Sequence, residues 1–266
     1  MGDSTSRRRR HGRNAVRSDN QSLAITAHRG ASTHYPENTR SAFEAAINLG
    51  VESIEFDVRR TKDGGLVIIH DDRVDRISNG TGGVGDLTTA QVLSLDAGAW
   101  FGQDFEGERF LTLAQTLDLM PTSTRLNVHL KATDDDDRSK LVAAVVEQLL
   151  HRELLDRAFI TGSEPILLEA RSVAPQIEIC SNLPLSRCVE IDCRILQPSN
   201  HITTPELVGQ AHRLGIEVHP FYADDRDEMR RLIACGVDGI LTNDPKKLQS
   251  IRSSFSVSGH SQELIK

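Results

Sequence analysis

From Leu23 to about residue 250, short apolar runs alternate with amphipathic helical patterns, which restricts the chain to a parallel sheet covered by helices. The runs are LAITAH (23–28), SIEFDV (53–58), LVIIH (66–70), LNVHLK (126–131), 159–162, 177–180, 194–197, 217–221 and 239–242. Helical patterns separate most of them, notably 139–150, 205–214 and 227–235. In the first helix Asn38 or Thr39 supplies the cap, Ala42, Phe43, Ala46, Ile47 and Leu49 form the apolar stripe, and Gly50 ends it. A (β/α)8 barrel takes roughly 250 residues, which suits this chain of 266. Nine candidate strands exceed the eight required, so one of the weak central runs, 177–180 or 194–197, is expected to drop out. Residues 71–112 break the alternation, are rich in Gly and Asp and hold the one tryptophan, Trp100. A stretch of that length is too long for a plain connection, and a small insertion after the third strand, over the barrel mouth, is expected. The expected organisation is a disordered basic tail over 1–22, a barrel over 23–250 and a flexible tail over 251–266.

Charge excludes several functions. The formal charge is −7, yet residues 1–20 carry six arginines against two aspartates, a net +4, leaving −11 for the remainder. An acidic body with only 4% aromatic residues suits neither phosphate-backbone binding nor base stacking, so no nucleic-acid partner is expected. No run approaches the roughly 20 apolar residues of a membrane span. No apolar segment follows the RRRR run before Ala24, so an export signal is not indicated. Cys180, Cys188, Cys193 and Cys235 lack a CxxC pair and read as reduced thiols, which together with the missing signal points to the cytoplasm. Oligomeric state is not legible.

The chemistry concentrates at strand ends. His28 ends the first run, Glu55 and Asp57 sit two apart on the second, His70 closes the third, and His129 and Lys131 sit two apart on the fourth. Residues i and i+2 of a strand project from one face, roughly 6.5 Å apart. Taken singly, an ExD pair is commonly a solvated face, a strand-end histidine a structural residue and a lysine a snorkelling side chain. Jointly, four successive runs ending in residues suited to metal or phosphate chemistry point to the C-terminal mouth of a barrel.

The segments HRGAS (28–32), PENT (36–39), AFEAAINLG (42–50), ESIEFDVRRTKDG (52–64), IIHDD (68–72) and GVDGILTNDP (236–245), in this order, resemble the glycerophosphodiester phosphodiesterase family. FGQDFEGERFLTLAQTLDL (101–119) is similar to the segment closing that family's insertion. The likeness runs from about Ile25 to Leu248. It implies an α/β (β/α)8 TIM barrel of the phospholipase C-like phosphodiesterase type. The implied reaction is metal-dependent hydrolysis of a small-molecule glycerophosphodiester to glycerol 3-phosphate and an alcohol. A substrate glycerol hydroxyl would attack phosphorus, and water would then open the cyclic phosphate.

By the same resemblance, His28 and His70 match the general acid and base, a role for which imidazole titrates in the right range. Arg29 matches the phosphate-gripping arginine, and Lys131 the lysine that neutralises charge at phosphorus. Glu55 and Asp57 match the carboxylates that hold one divalent cation, Mg²⁺ or Ca²⁺. Two departures stand out. His129 occupies the place of a usual third metal glutamate; as a ligand it would weaken Mg²⁺ or Ca²⁺ and favour Mn²⁺, Co²⁺ or Zn²⁺, while the alternative is that it turns aside. Phe221-Tyr222-Ala223-Asp224 replaces a tryptophan-led WTVN segment, with Phe221 left to line the substrate site. Rival readings are a related phosphodiesterase acting on lysophospholipids or sugar phosphodiesters, and a phosphate-ester-binding barrel without turnover. The acidic run Asp134–Asp137 is expected to be a solvated helix start, and Ser163 has no nucleophile context.

Overall fold

The computed structural model describes residues 23–260, so the basic segment 1–22 and the last six residues lie outside the described residues. The order is β1 (Ala24–His28), α1 (Arg40–Asn48), β2 (Ser53–Arg60), β3 (Leu66–Ile68), α2 (Thr89–Ser94), α3 (Leu113–Leu119), β4 (Arg125–Leu130), α4 (Asp135–His151) and β5 (Ala158–Thr161). There follow α5 (Glu164–Val173), β6 (Glu178–Ser181), α6 (Leu185–Glu190), β7 (Ile195–Leu196), α7 (Pro205–Arg213), β8 (Glu217–Val218), α8 (Arg226–Ala234), β9 (Gly239–Thr242) and α9 (Pro245–His260).

Eight strands pair in parallel in the order β8-β7-β6-β5-β4-β2-β1-β9. Backbone bonds from Asp238 N to Val218 O (3.0 Å) and Leu241 N to Pro220 O (3.1 Å) link the two ends of this path. The result is a nearly closed (β/α)8 barrel. Both weak central runs take part, as β6 and β7. The strand that drops out is instead the third run: β3 folds back antiparallel on β2, pairing Val58 with Ile68 and Arg60 with Leu66. Its apolar composition matches that of a barrel strand, but the DGG turn at 63–65 is too short for a crossover, so only a hairpin can form. His70 therefore does not end a barrel strand.

Alternation along β2 explains the placement of the site. Ile54, Phe56 and Val58 are fully buried in the main apolar cluster, and the Phe56 ring meets Phe43 of α1 edge-on at 6.2 Å. Removing such a ring costs about 3–5 kcal/mol. The odd-numbered Glu55 and Asp57 must then face the barrel axis. Thr39 caps α1, accepting from Ala42 N, and Gly50 at φ +69° ends it.

Residues 67–110 carry a second apolar cluster of Val67, Ile69, Val74, Ile77, Val84, Val92, Ala97 and Phe110. Asp134 caps α4, accepting from Asp137 N at 2.8 Å, so the acidic run does start a helix. At the other end α9 continues to His260, ten residues past the barrel boundary expected at 250. Among the described residues no helix is long and apolar enough to cross a membrane.

Candidate active site

His28 and Arg29 lie where β1 turns into its loop. Arg29 adopts φ +56°, a conformation that costs an L-residue about 1–2 kcal/mol. It is held there by its N–H, which reaches Glu55 O and Glu55 Oε2 at 3.0 Å each, and by its carbonyl, which accepts from Asn38 N at 3.0 Å. Gly30 follows at φ +83°, and a Cβ there would sit 2.6 Å from the Ala42 carbonyl carbon, so the turn requires glycine.

The register pairs His28 with Glu55 and Asp57 with His129, which brings three strands to one point. Glu55 and Asp57 are buried at 1% and 0% exposure. His129 Nδ1 lies 3.3 Å from Glu55 Oε1 and 3.4 Å from Asp57 Oδ1, so it turns inward rather than aside. Lys131 Nζ is 3.5 Å from Asp57 Oδ1, Arg29 Nε 3.2 Å from Asp57 Oδ2, and His28 Nε2 3.8 Å from Glu55 Oε2. Asn38 donates to Asp57 Oδ2 at 3.0 Å and accepts from Asp57 N at 3.4 Å, fixing that carboxylate from α1's approach.

Burial, then the charge of Asp57, pushes the Glu55 carboxyl up to about 7. Burial also opposes ionisation of Asp57, but His129, Arg29 and Lys131 outweigh it and hold this carboxyl down at about 2. Burial depresses His129 to about 4, which leaves its ring neutral near pH 7.

A divalent cation fits these residues. Glu55, Asp57 and His129 each offer a donor atom within 4.8 Å of the others, the spread that ligands about 2.1–2.5 Å from one ion allow. Asp57 Oδ1 is buried and accepts no hydrogen bond, and with Lys131 Nζ at 3.5 Å and His129 Nδ1 at 3.4 Å it keeps lone pairs open to an ion.

His70 joins from the hairpin. Ile69 N donates to Asp57 O at 3.0 Å, and Arg59 from β2 donates to His70 O at 2.9 Å. His70 Nδ1 meets Asp71 Oδ1 at 2.8 Å, and Arg76 bridges Asp71 to Glu37, which in turn receives Arg29 Nη1 at 2.8 Å. Arg76 thus ties the insertion to the β1–α1 loop.

Two cavities flank His28. One, of about 300 Å³, is lined by His28, Glu55, His129, Ser163, Gln197 and Phe221, among others. The other, of about 330 Å³, includes Arg29, Glu37, Tyr222, Asp224 and Asn243. His70 and Lys131 line neither. His28, Arg29, Glu55, Asp57, His129 and Lys131 thus form one contact cluster, Phe221 lines the first cavity, and the His70 side chain contacts Asp71 beside it. Sequence reasoning assigned no part in the site to Asp71, Arg76, Tyr222, Asp224 or Asn243, and read Asn38 as a candidate helix cap, whereas Thr39 caps α1 and Asn38 holds Asp57. PENT and TNDP contained two of them, but nothing in those letters says which side chains they hold.

The profile of the Glycerophosphoryl diester phosphodiesterase family matches residues 28–247. The chain is 36% identical over 234 residues to a glycerophosphodiester phosphodiesterase of Caldanaerobacter subterraneus, covering 84% of this chain and 95% of that one. A phosphodiesterase of Oleispira antarctica, solved with the product sn-glycerol-3-phosphate, superposes with a TM-score of 0.81 at 28% identity, covering 86% of this chain and 96% of the other. The corresponding enzyme of Agrobacterium tumefaciens gives 0.76 at 27%, covering 86% and 99%. Barrel topology, the buried carboxylate pair and these likenesses agree: the chain belongs to the glycerophosphoryl diester phosphodiesterase family.

Proposed function

We propose that the protein hydrolyses glycerophosphodiesters to glycerol 3-phosphate and an alcohol, with a divalent cation at Glu55, Asp57 and His129 and with His28 and His70 exchanging protons. The observation that carries this reading is Asp57 Oδ1, a buried acceptor without a hydrogen bond that faces His129 and Lys131. When bound, the cation supplies a Lewis-acidic charge for phosphate oxygens. Imidazole in the ligand set shifts preference from Mg²⁺ or Ca²⁺ toward Mn²⁺, Co²⁺ or Zn²⁺. The product carried by the Oleispira antarctica relative supports glycerol 3-phosphate as the released ester.

Arg29 is pre-organised by Glu37 and Asp57 to present its guanidinium to a phosphate, and Lys131 offsets the charge that builds on phosphorus. One histidine takes the proton of the attacking glycerol hydroxyl while the other donates a proton to the leaving alcohol oxygen. The roles reverse when water opens the cyclic phosphate. Phe221 gives the glycerol or alcohol an apolar wall.

The test is release of glycerol 3-phosphate from glycerophosphocholine and glycerophosphoethanolamine, with and without EDTA. Turnover that chelation abolishes and Mn²⁺ or Mg²⁺ restores supports the reading. His28→Ala and His70→Ala are each expected to cost about 10²–10⁴-fold in kcat. Turnover indifferent to chelation, or retained in both variants, overturns it.

A further inference from the structure

We propose that Asp224 and Asn243 are positioning residues that fix His28 as its Nδ1–H tautomer, leaving the Nε2 lone pair toward Glu55. The proposal rests on His28 serving in proton transfer and adds what sets its proton.

The inference starts at the far end of the chain of contacts. Asp224, beyond β8, collects three donors: Thr242 Oγ1 at 3.0 Å, Asn243 N at 2.8 Å and Asn243 Nδ2 at 2.6 Å. A carboxylate only accepts, so it decides which end of the Asn243 amide faces it: the NH₂. The amide oxygen must then point the other way, where it meets His28 Nδ1 at 2.7 Å and Ser32 Oγ at 2.9 Å. An amide oxygen only accepts as well. The proton between it and His28 therefore sits on Nδ1, and Nε2, 3.8 Å from Glu55 Oε2, is left bare. Reversing the amide would set its oxygen against Asp224 and its NH₂ against the imidazole, which moves the proton to Nε2 and removes the basic lone pair from the cavity. Tyr222 stacks on the imidazole at 5.4 Å and 18°, which holds the ring in the plane these contacts need.

The two histidines are oriented differently. His70 meets a carboxylate directly, at Asp71, whereas His28 meets a neutral amide whose direction a more distant carboxylate sets. An amide at 224 can present either of its ends to Asn243, so the lock in this chain depends on the aspartate.

The test reads the tautomer by ¹⁵N–¹H correlation of labelled imidazoles in the Mg²⁺-loaded protein above pH 8, with His28 assigned by its loss in His28→Gln. The expected wild-type pattern is a protonated Nδ1 and a bare Nε2. In Asp224→Asn, which keeps shape and removes the charge, a mixed tautomer is expected, with kcat reduced about 10²-fold, KM little changed and the melting temperature retained. An Nε2–H tautomer in the wild type overturns the proposal, and so does an Asp224→Asn variant with unaltered tautomer and kcat. If that variant fails to fold, the wild-type pattern alone decides. Should His28→Ala retain turnover, the catalytic reading fails while the tautomer measurement still judges this one.

Discussion

His129 turns its Nδ1 to within 3.4 Å of Asp57 Oδ1, a buried oxygen that accepts no hydrogen bond. With Glu55 Oε1 at 3.3 Å, the imidazole stands between two carboxylates where a third would bring one more negative charge. His129→Glu is therefore expected to raise Mg²⁺ and Ca²⁺ affinity and His129→Ala to lower Mn²⁺ and Zn²⁺ affinity, each by about 10–100-fold. Calorimetric titration of the EDTA-stripped protein measures both. Equal Mn²⁺ binding by His129→Ala and wild type would show that the ring is not a ligand.

Proton release should accompany metal uptake, with a sign set by Glu55. Its carboxyl, raised to about 7, carries a proton below that pH and must lose it to bind an ion. His129, near 4, is neutral throughout this range and releases none. Titrations in buffers of different ionisation enthalpy are expected to give about one proton released at pH 6 and close to none at pH 8. Affinity should rise with pH up to about 7 and then level. Release that does not change between these pH values would contradict the assignment.

Acid stability reports on the Asp71 clamp. The hydrogen bond from Arg76, with a lesser one from His70, holds the Asp71 carboxyl down to about 2 against partial burial. Because the folded value lies below the unfolded one, the stabilisation is present above roughly pH 4 and lost as pH falls toward 2. The urea midpoint of Asp71→Asn should lie below that of the wild type at pH 6, and the gap should narrow at pH 2.5. A gap independent of pH would place the effect elsewhere.

Gly30→Ala is expected to destabilise the protein by about 2–4 kcal/mol, because the residue combines φ +83° with a Cβ position overlapping Ala42. Thermal melting measures this. A melting temperature equal to that of the wild type would mean that the Arg29–Gly30 turn relaxes, and turnover should then fall as Arg29 leaves Glu37 and Asp57.

Much of this was legible in the letters. Parity along SIEFDV places Ile54, Phe56 and Val58 against the helices and leaves Glu55 and Asp57 no direction but the axis, whatever the rest of the barrel does. The same parity brings in His129 and Lys131. LVIIH misled because strand composition records burial on both faces but not partner or direction, and β3 obtains that burial beside β2 without entering the barrel. IEIC and RILQ looked too weak, yet a strand bracketed by parallel neighbours needs few residues: β7 is just Ile195–Leu196. The supporting contacts of Asn38, Arg76, Asp224 and Asn243 depend on side-chain direction across 19 to 215 positions of sequence, which no local pattern encodes.

The hairpin that carries β3 also divides the labour of change. Residues 67–110 bring their own apolar interior and attach beside β2 rather than within the ring of barrel strands. Lengthening or trimming that segment beyond Arg76 can reshape the approach to the mouth while Glu55, Asp57 and the His70–Asp71–Arg76 contacts keep their anchorage. The segment can then vary in size and shape without disturbing the carboxylate pair on β2.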